Sequence, residues 1–127
     1  MFYSANRFDS PHYFTGVARS SSISGPYERK SSKFLEVDSS RLGNNDYGQL
    51  LGPGHGTAVV DNVGDHWFLY HSWIGPKTNI NFYPPGRVLN IDKIVWTLDG
   101  WPNIGFPSDT PQLKPSVASA LNVNPIG

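Results

Sequence analysis

The side chains of this sequence that could do acid, base or metal chemistry are ten carboxylates and four histidines. The carboxylates lie mostly among turn-forming residues: Asp9, Glu28, Glu36, Asp38, Asp46, Asp61, Asp65, Asp92, Asp99 and Asp109. Carboxylates in turns usually accept hydrogen bonds from nearby backbone N–H groups, and we expect this role for Asp65 and Asp99 in particular. Asp9 is the carboxylate that is hardest to dismiss as a catalytic candidate, since its turn, residues 7–11, could face a cleft. Turn formation is therefore the expected role of each carboxylate.

The histidines have different surroundings in the sequence. His55 follows Gly52-Pro53-Gly54, where its simplest role is that of a neutral loop histidine bonded to backbone. His71 shares a strand face with Trp67 and Trp73, which favours a core histidine with satisfied hydrogen bonds. His12 and His66 have no metal ligand at a suitable spacing, and no G-x-S-x-G, H-E-x-x-H or phosphate-loop motif occurs.

Short strands must position these side chains. Alternating β-branched and aromatic residues predict strands in seven segments: residues 2–5, 12–20, 34–37, 57–61, 66–73, 87–91 and 93–98. Both faces of 66–73 are apolar, which predicts burial on both sides. The stretches 39–54 and 74–86 read as long loops, and only 117–121 shows a weak helical spacing. The sequence predicts an all-β protein.

Composition narrows the function classes. Ten basic and ten acidic residues balance, so no net charge would attract nucleic acid or anionic lipid. No apolar run is long enough to span a membrane, and the N-terminus MFYSANRFDS lacks the features of a signal peptide. There is no cysteine, which excludes disulfides but leaves the cellular compartment open. We predict neither a nucleic-acid partner nor a membrane partner.

The C-terminal segment differs from the rest. Residues 107–127 contain four prolines and little apolar bulk, which is typical of a mobile tail or linker. We therefore place the folded part at residues 1–106, where six to eight short strands would form about two four-stranded blades. No internal repeat is clear enough to predict a propeller from periodicity alone.

Three blocks of sequence carry a resemblance to glycoside hydrolase family 43. They are FYSANRFDSPHYFTGVARSSSISGPYER, GPGHGTAVVDNVGDHWFLYHSW and GRVLNIDKIVWTLDGWP. Each block is weak alone, but their order and combination are specific, and together they cover about residues 2–103. The chain resembles the C-terminal part of a family 43 enzyme.

This resemblance implies a partial five-bladed β-propeller. The family hydrolyses arabinans, xylans or galactans, mostly by inversion, with an Asp base, a second Asp that tunes the acid, and a Glu acid. For this chain we expect an arabinose- or xylose-containing polysaccharide. Inversion requires acid and base about 6.5 to 9.5 Å apart. The family's three carboxylates precede the strand that FYSAN resembles, so we expect no catalytic residue in this chain and no activity from it alone. Whether the chain counts as an enzyme is left open.

The resemblance also implies two site residues. His55 matches the family's axial histidine, which ligates a calcium or similar ion at the propeller axis in the intact ring. Arg87 matches an arginine that approaches the substrate, with a structural salt bridge as the alternative. The implied partner is an oligosaccharide or polysaccharide, and exposed blade edges predict self-association. Family members are often extracellular, but the sequence fixes no location for this chain.

Two other interpretations stay open at this stage. One is a non-catalytic carbohydrate-binding or remnant propeller protein that kept the blades and lost the chemistry. The other is a β-sandwich lectin whose motifs coincide with those of the family. An upstream Asp and Glu would favour the enzyme over the remnant.

Overall fold

A computed structural model describes residues 1–38, 50–74 and 86–117. These residues form three antiparallel sheets and no helix, so the predicted all-β class is confirmed. The strands are β1 (Phe2–Ala5), β2 (Phe14–Arg19), β3 (Glu28–Arg29), β4 (Leu50–Val60), β5 (His66–Ile74), β6 (Arg87–Lys93), β7 (Val95–Trp96) and β8 (Pro102–Asn103). Their orders are β1-β2-β3, β4-β5-β6 and β7-β8. Within the described ranges no helix could cross a membrane.

The first sheet is built around the predicted hairpin of β1 and β2. Phe2 pairs with Val17 and Ala5 with Phe14. The connecting turn begins at Asn6, whose φ of 68° lies in the left-handed region that asparagine tolerates better than most residues. Ser10 N donates to Arg7 O at 3.0 Å, which closes the turn as predicted.

The second sheet contains the long strand β4, which starts earlier than predicted. Residues 50–54 were assigned to a loop, but buried Leu50 and Leu51 pair with Ile74 and Trp73. The register of β4 against β5 then shifts twice, between Leu51 and Thr57. The glycines in this part of β4 masked the strand pattern in the sequence. The remainder of that loop, 39–49, and the loop prediction at 75–85 lie outside the described residues.

Several predicted elements differ in detail. Each larger sheet has three strands in the described residues, where four were expected, and the short strands β3 and β8 were missed. Segment 34–37 forms only isolated bridges, from Leu35 to Thr15 and to Gly105. The stretch 87–98 divides into two strands at Ile94, whose side chain is buried in the core. Two-residue strands carry no periodicity that a sequence reading can detect.

The core lies between the first two sheets. Phe68 and Tyr70 of β5 are buried there, and the Phe68 ring lies 5.2 Å from Phe2 and 4.9 Å from Phe34 between ring centroids. The opposite face of β5 is buried only at Trp67, while His71 and its other neighbours there are partly exposed. The expectation that this strand is buried on both faces was therefore wrong for most of its length.

The segment after the last strand contacts the second sheet. Ser108 N donates to Asp92 Oδ2 at 3.2 Å, and Ser116 N donates to Asp61 Oδ2 at 3.1 Å. Asn62 N donates to Ser116 O at 3.0 Å. Residues 107–117 thus bond to the sheet without forming a strand, and the domain boundary at residue 106 stays a prediction. Residues 118–127 lie outside the described part.

Candidate functional site

The predicted site residues meet at one end of the second sheet. His71 of β5 pairs with Gly54 of β4 on one side and with Leu89 of β6 on the other. This register brings the His55 ring within 5.7 Å of the His71 ring, measured between centroids. Arg87 Nη1 lies 3.1 Å from His71 Nε2. The fold therefore joins the two predicted residues, His55 and Arg87, through a third that was predicted to be core.

His55 is held in an unusual backbone conformation. Its φ is 52°, and its backbone N–H donates to Ser4 Oγ at 3.0 Å. A Cβ at Gly54 would collide with the Tyr13 ring, and one at Gly56 would collide with Phe68. The two glycines let β4 pass close to its neighbours, while the imidazole between them remains exposed.

His71 differs from the satisfied core histidine that was predicted. It is only partly buried, and its ring stacks on Tyr13 with 6.4 Å between centroids. Its Nδ1 is buried and has no hydrogen-bond partner. Burial lowers the pKa of His71, and the nearby Arg87 and His55 lower it further, so the ring is neutral at pH 7.

Arg87 is exposed and lies among aromatic rings. Its guanidinium carbon lies 4.5 Å from the Trp73 ring centroid and 5.8 Å from that of Phe8. Trp73 and Arg87 are direct cross-strand partners, which explains the stacking. Among the described residues Arg87 makes no ion pair, the alternative considered from the sequence. A guanidinium over an aromatic face suits recognition of hydroxyl or carboxylate oxygens.

The turn carboxylates make local contacts. Asp61 accepts hydrogen bonds from the backbone of Val63 and Asp65 and from the indole of Trp67, in addition to Ser116. Burial alone would raise the pKa of Asp61, but these bonds outweigh it and lower the pKa to about 2. Asp61 therefore has the turn role that was expected of Asp65.

Other carboxylates form ion pairs or side-chain hydrogen bonds. Asp9 pairs with Arg7 in the turn after β1, which lowers the pKa of Asp9. Asp65 accepts from Lys93 Nζ at 2.6 Å, across the sheet. Asp99 accepts from Thr97 Oγ1 at 2.5 Å, which lowers its pKa. These contacts support structural roles for all three.

Asp92 is a buried carboxylate that sequence reasoning grouped with the turn residues. It lies in β6, is 5 % exposed, and accepts from Tyr70 OH at 2.5 Å. Burial raises the pKa of Asp92, although the bonds from Tyr70 and Ser108 oppose the shift. Asp92 pairs with Phe68, on the core side of the sheet, whereas His71 lies on the other side. A raised pKa here reflects burial, and Asp92 does not belong to the site.

The residues present do not by themselves suit a calcium ion. Calcium takes six to eight oxygen ligands, whereas His55 and His71 offer ring nitrogens. Across 1–38, 50–74 and 86–117, no three His, Asp or Glu side chains group around a common point. A cavity of about 250 Å³ beside His55 is lined by Phe2, Tyr3, Ser4, Tyr13, Thr15 and Gly56. Its lining includes no carboxylate, so the predicted axial ion would need ligands from elsewhere.

This chain matches a known protein family over most of its length. The model of the family described as glycosyl hydrolases family 43 matches residues 1–102 of this chain. The chain belongs to that family. The match includes both predicted site residues, and it confirms the resemblance inferred from the three sequence blocks. No curated protein matches the chain.

Solved structures of family 43 proteins superimpose on the chain. A thermostable family 43 glycoside hydrolase has 29 % identity and a TM-score of 0.67, over 91 % of this chain and 34 % of its own. A xylan β-1,4-xylosidase from Bacillus halodurans is 24 % identical to this chain, with a TM-score of 0.66. The match covers 88 % of this chain and 22 % of the xylosidase. An α-L-arabinofuranosidase from Lactobacillus brevis is 22 % identical to this chain, with a TM-score of 0.63. The match covers 84 % of this chain and 33 % of the arabinofuranosidase. The last two show the fold alone.

These matches confirm the partial propeller. The chain spans about a third or less of the length of the family 43 structures it matches. Its two three-stranded sheets pack face to face through Phe2, Phe34 and Phe68, as successive blades do. The β-sandwich lectin alternative is thereby excluded.

Proposed function

We propose that this chain is part of a glycoside hydrolase that cleaves O-glycosidic bonds in arabinose- or xylose-containing polysaccharides, by inversion in the complete domain. The family match over residues 1–102 carries this proposal. It agrees with the names of two structural relatives, a xylan β-1,4-xylosidase and an α-L-arabinofuranosidase. In this function Arg87 contacts the sugar, because its guanidinium is exposed and stacked on Trp73.

The chain alone is expected to be inactive. In the described structure, the contacts of His55, His71 and Arg87 are with rings, with one another and with Ser4, and none is with a carboxylate. An inverting glycosidase needs two carboxyl groups, and losing one such group costs about 10² to 10⁴ in rate. The purified chain should therefore leave aryl arabinofuranosides and xylosides uncleaved.

Complementation tests the proposal. The chain is mixed or co-expressed with the first two thirds of a family 43 domain that carries an Asp base and a Glu acid. Hydrolysis should appear in the mixture and should be lost with Arg87→Ala in this chain. Activity of the chain alone, abolished by changing one of its own carboxylates, would show that the site has been misplaced.

One observation favours a second candidate function. The guanidinium of Arg87 lies over the rings of Trp73 and Phe8, which gives a surface made of a cation and two aromatic rings. Such a surface can bind a sugar without cleaving it, as in a non-catalytic carbohydrate-binding or remnant propeller protein. Retained binding of xylose or arabinose oligosaccharides, with complementation failing in every combination, would favour this function over hydrolysis.

An axial calcium ion in the intact ring is part of the proposal, with His55 as a ligand. Since the described residues lack a cluster of oxygen ligands, calcium should bind this chain weakly. An ion at 100 times its dissociation constant stabilises a protein by about 2.7 kcal/mol. In a complemented complex, His55→Ala should remove most of the calcium-dependent rise in melting temperature, and should have little effect in chelator.

Self-association is the remaining part of the proposal. Leu89 of β6 is 77 % exposed and Val60 of β4 is 60 % exposed, so the second sheet presents apolar side chains to solvent. Uncovered sheet surface and strand edges favour association between chains. Light scattering should show dimers or larger species, and a stable monomer at high concentration would contradict this.

A further inference from the structure

His71, which the sequence predicted to be a core residue, contacts the guanidinium of Arg87. We propose that His71 is the positioning residue of Arg87: its neutral ring accepts one guanidinium N–H and leaves the other donors of Arg87 directed to the sugar. The inference rests on the proposed function, in which Arg87 contacts substrate. It does not require that His71 itself touch the sugar.

The direction of the hydrogen bond follows from the chemistry of the two groups. A guanidinium has N–H donors and no acceptor. In the 3.1 Å contact between Arg87 Nη1 and His71 Nε2, the imidazole nitrogen must therefore accept. In a neutral ring the proton then sits on Nδ1, which is buried and has no hydrogen-bond partner.

The surroundings hold the ring in this form. Tyr13 stacks on one side of the ring, and a second proton, on Nε2, would face the guanidinium of Arg87 at 3.1 Å. A buried N–H without a partner destabilises a fold, so this arrangement is not what stability alone would select. A phenyl ring at position 71 would fill the same space without an unpartnered donor. The nitrogen therefore has a use beyond packing, and the contact with Arg87 supplies it.

The arrangement preserves the charge of Arg87. A carboxylate in place of His71 would pair with the guanidinium and compete with a ligand for it. A neutral acceptor orients one arm of the fork and leaves the positive charge uncompensated by this contact. Trp73 supports the guanidinium plane at 4.5 Å, so the acceptor and the indole together determine its orientation.

The test compares three variants of the full chain by NMR. His71→Phe keeps the ring volume without an acceptor, His71→Gln places a neutral acceptor near the Nε2 position, and Arg87→Ala assigns the Arg87 side-chain Nε–H signal. In the unmodified chain this signal should show an ordered side chain, and xylotriose or arabinotriose, titrated separately, should shift it. His71→Phe should release Arg87 to fast motion and weaken binding about 10-fold, while His71→Gln should restore much of both.

The outcomes separate the inference from the proposed function. Arg87 could be ordered only when position 71 carries an acceptor, while neither sugar shifts the Arg87 Nε–H signal. In that case His71 positions Arg87, but Arg87 does not bind sugar. If a sugar shifts Arg87 equally in the unmodified chain and in His71→Phe, the sugar-binding role stands and the positioning inference is overturned. Thermal melts confirm that each variant is folded.

Discussion

Two cross-strand pairs on one face of the second sheet place a cation over an indole. At the first, Lys93 of β6 pairs with Trp67 of β5, with Nζ 5.9 Å from the ring. At the second, Arg87 pairs with Trp73, with its guanidinium carbon 4.5 Å from the ring. The pairs lie six positions apart on both strands and share the same register. The same cross-strand pair of a cation and a tryptophan therefore occurs twice, in different surroundings.

Carboxylates surround the first pair. Lys93 bonds to Asp65, and the Trp67 indole donates to Asp61 at 3.0 Å. Trp67 is only 3 % exposed. At the second pair, Arg87 is exposed and bonds to a neutral imidazole. The first pair stabilises the turn between β4 and β5, whereas the guanidinium of the second is exposed. What surrounds the cation, rather than the pair itself, distinguishes a structural site from a candidate binding site.

The largest expected effect comes from removing the two indoles. Trp67→Ala should lower the free energy of unfolding by about 3 to 5 kcal/mol, because it deletes a buried ring and leaves Asp61 without one donor. Trp73 is partly exposed, so Trp73→Ala should cost clearly less. Urea denaturation of both variants measures the difference. Equal losses would mean that the second pair is as structural as the first.

Acid should weaken the first pair through Asp61. The folded pKa of Asp61, about 2, lies below its value in an unfolded chain, about 3.9. A lowered pKa contributes stability that is present above pH 4 and is lost as the pH falls through about 2. Asp61→Asn should lower the melting temperature by about 5 to 10 °C at pH 7, and by much less near pH 2. A difference that does not change with pH would contradict this role.

Exchanging the two cations tests whether the guanidinium matters only at the second pair. Arg87→Lys should reduce oligosaccharide binding about 10-fold, because a lysine lacks the planar fork, and should change stability by less than about 0.5 kcal/mol. Lys93→Arg is the matched control, and should preserve both binding and stability. Calorimetric titration and thermal melts measure the two properties. Weakened binding in Lys93→Arg would remove the distinction between the pairs.

The smallest expected effect belongs to the ion pair of Asp65 and Lys93. Both side chains are well exposed, at 41 % and 49 %, and exposed ion pairs contribute about 0 to 1 kcal/mol. Asp65→Asn should therefore destabilise the chain only slightly, and 0.5 M salt should reduce even that difference. A loss comparable to that of Asp61→Asn would show that this ion pair, and not Asp61, holds the turn.

The sequence contained most of the fold because the strands carry clear patterns. β2 and β5 were predicted from the alternation of their side chains. The start of β4 was missed because Gly52, Pro53 and Gly54 resemble a loop. The two glycines allow β4 to pack closely against Tyr13 and Trp73, and these contacts leave no local pattern in the sequence.

The site was predictable in part. Arg87 and His55 were found by resemblance to family motifs, and the structure brings them to one end of the sheet. His71 was missed because alternation places it on a face with two tryptophans, which is typical of core. Only the register between β5 and β6 shows that Arg87 reaches His71 Nε2. The sequence did contain one indication of this role, because a polar histidine at a core position destabilises the fold unless its nitrogens are bonded.

In the proposed function, the Arg87 end of this face binds sugar while the Lys93 end is structural. The indole N–H signals of Trp73 and Trp67 report directly on the two ends in a ¹H–¹⁵N spectrum. Titration with xylotriose and with arabinotriose should shift the Trp73 signal and leave the Trp67 signal in place. A shift confined to Trp67, or no shift at Trp73 with either sugar at saturating concentration, would contradict the account.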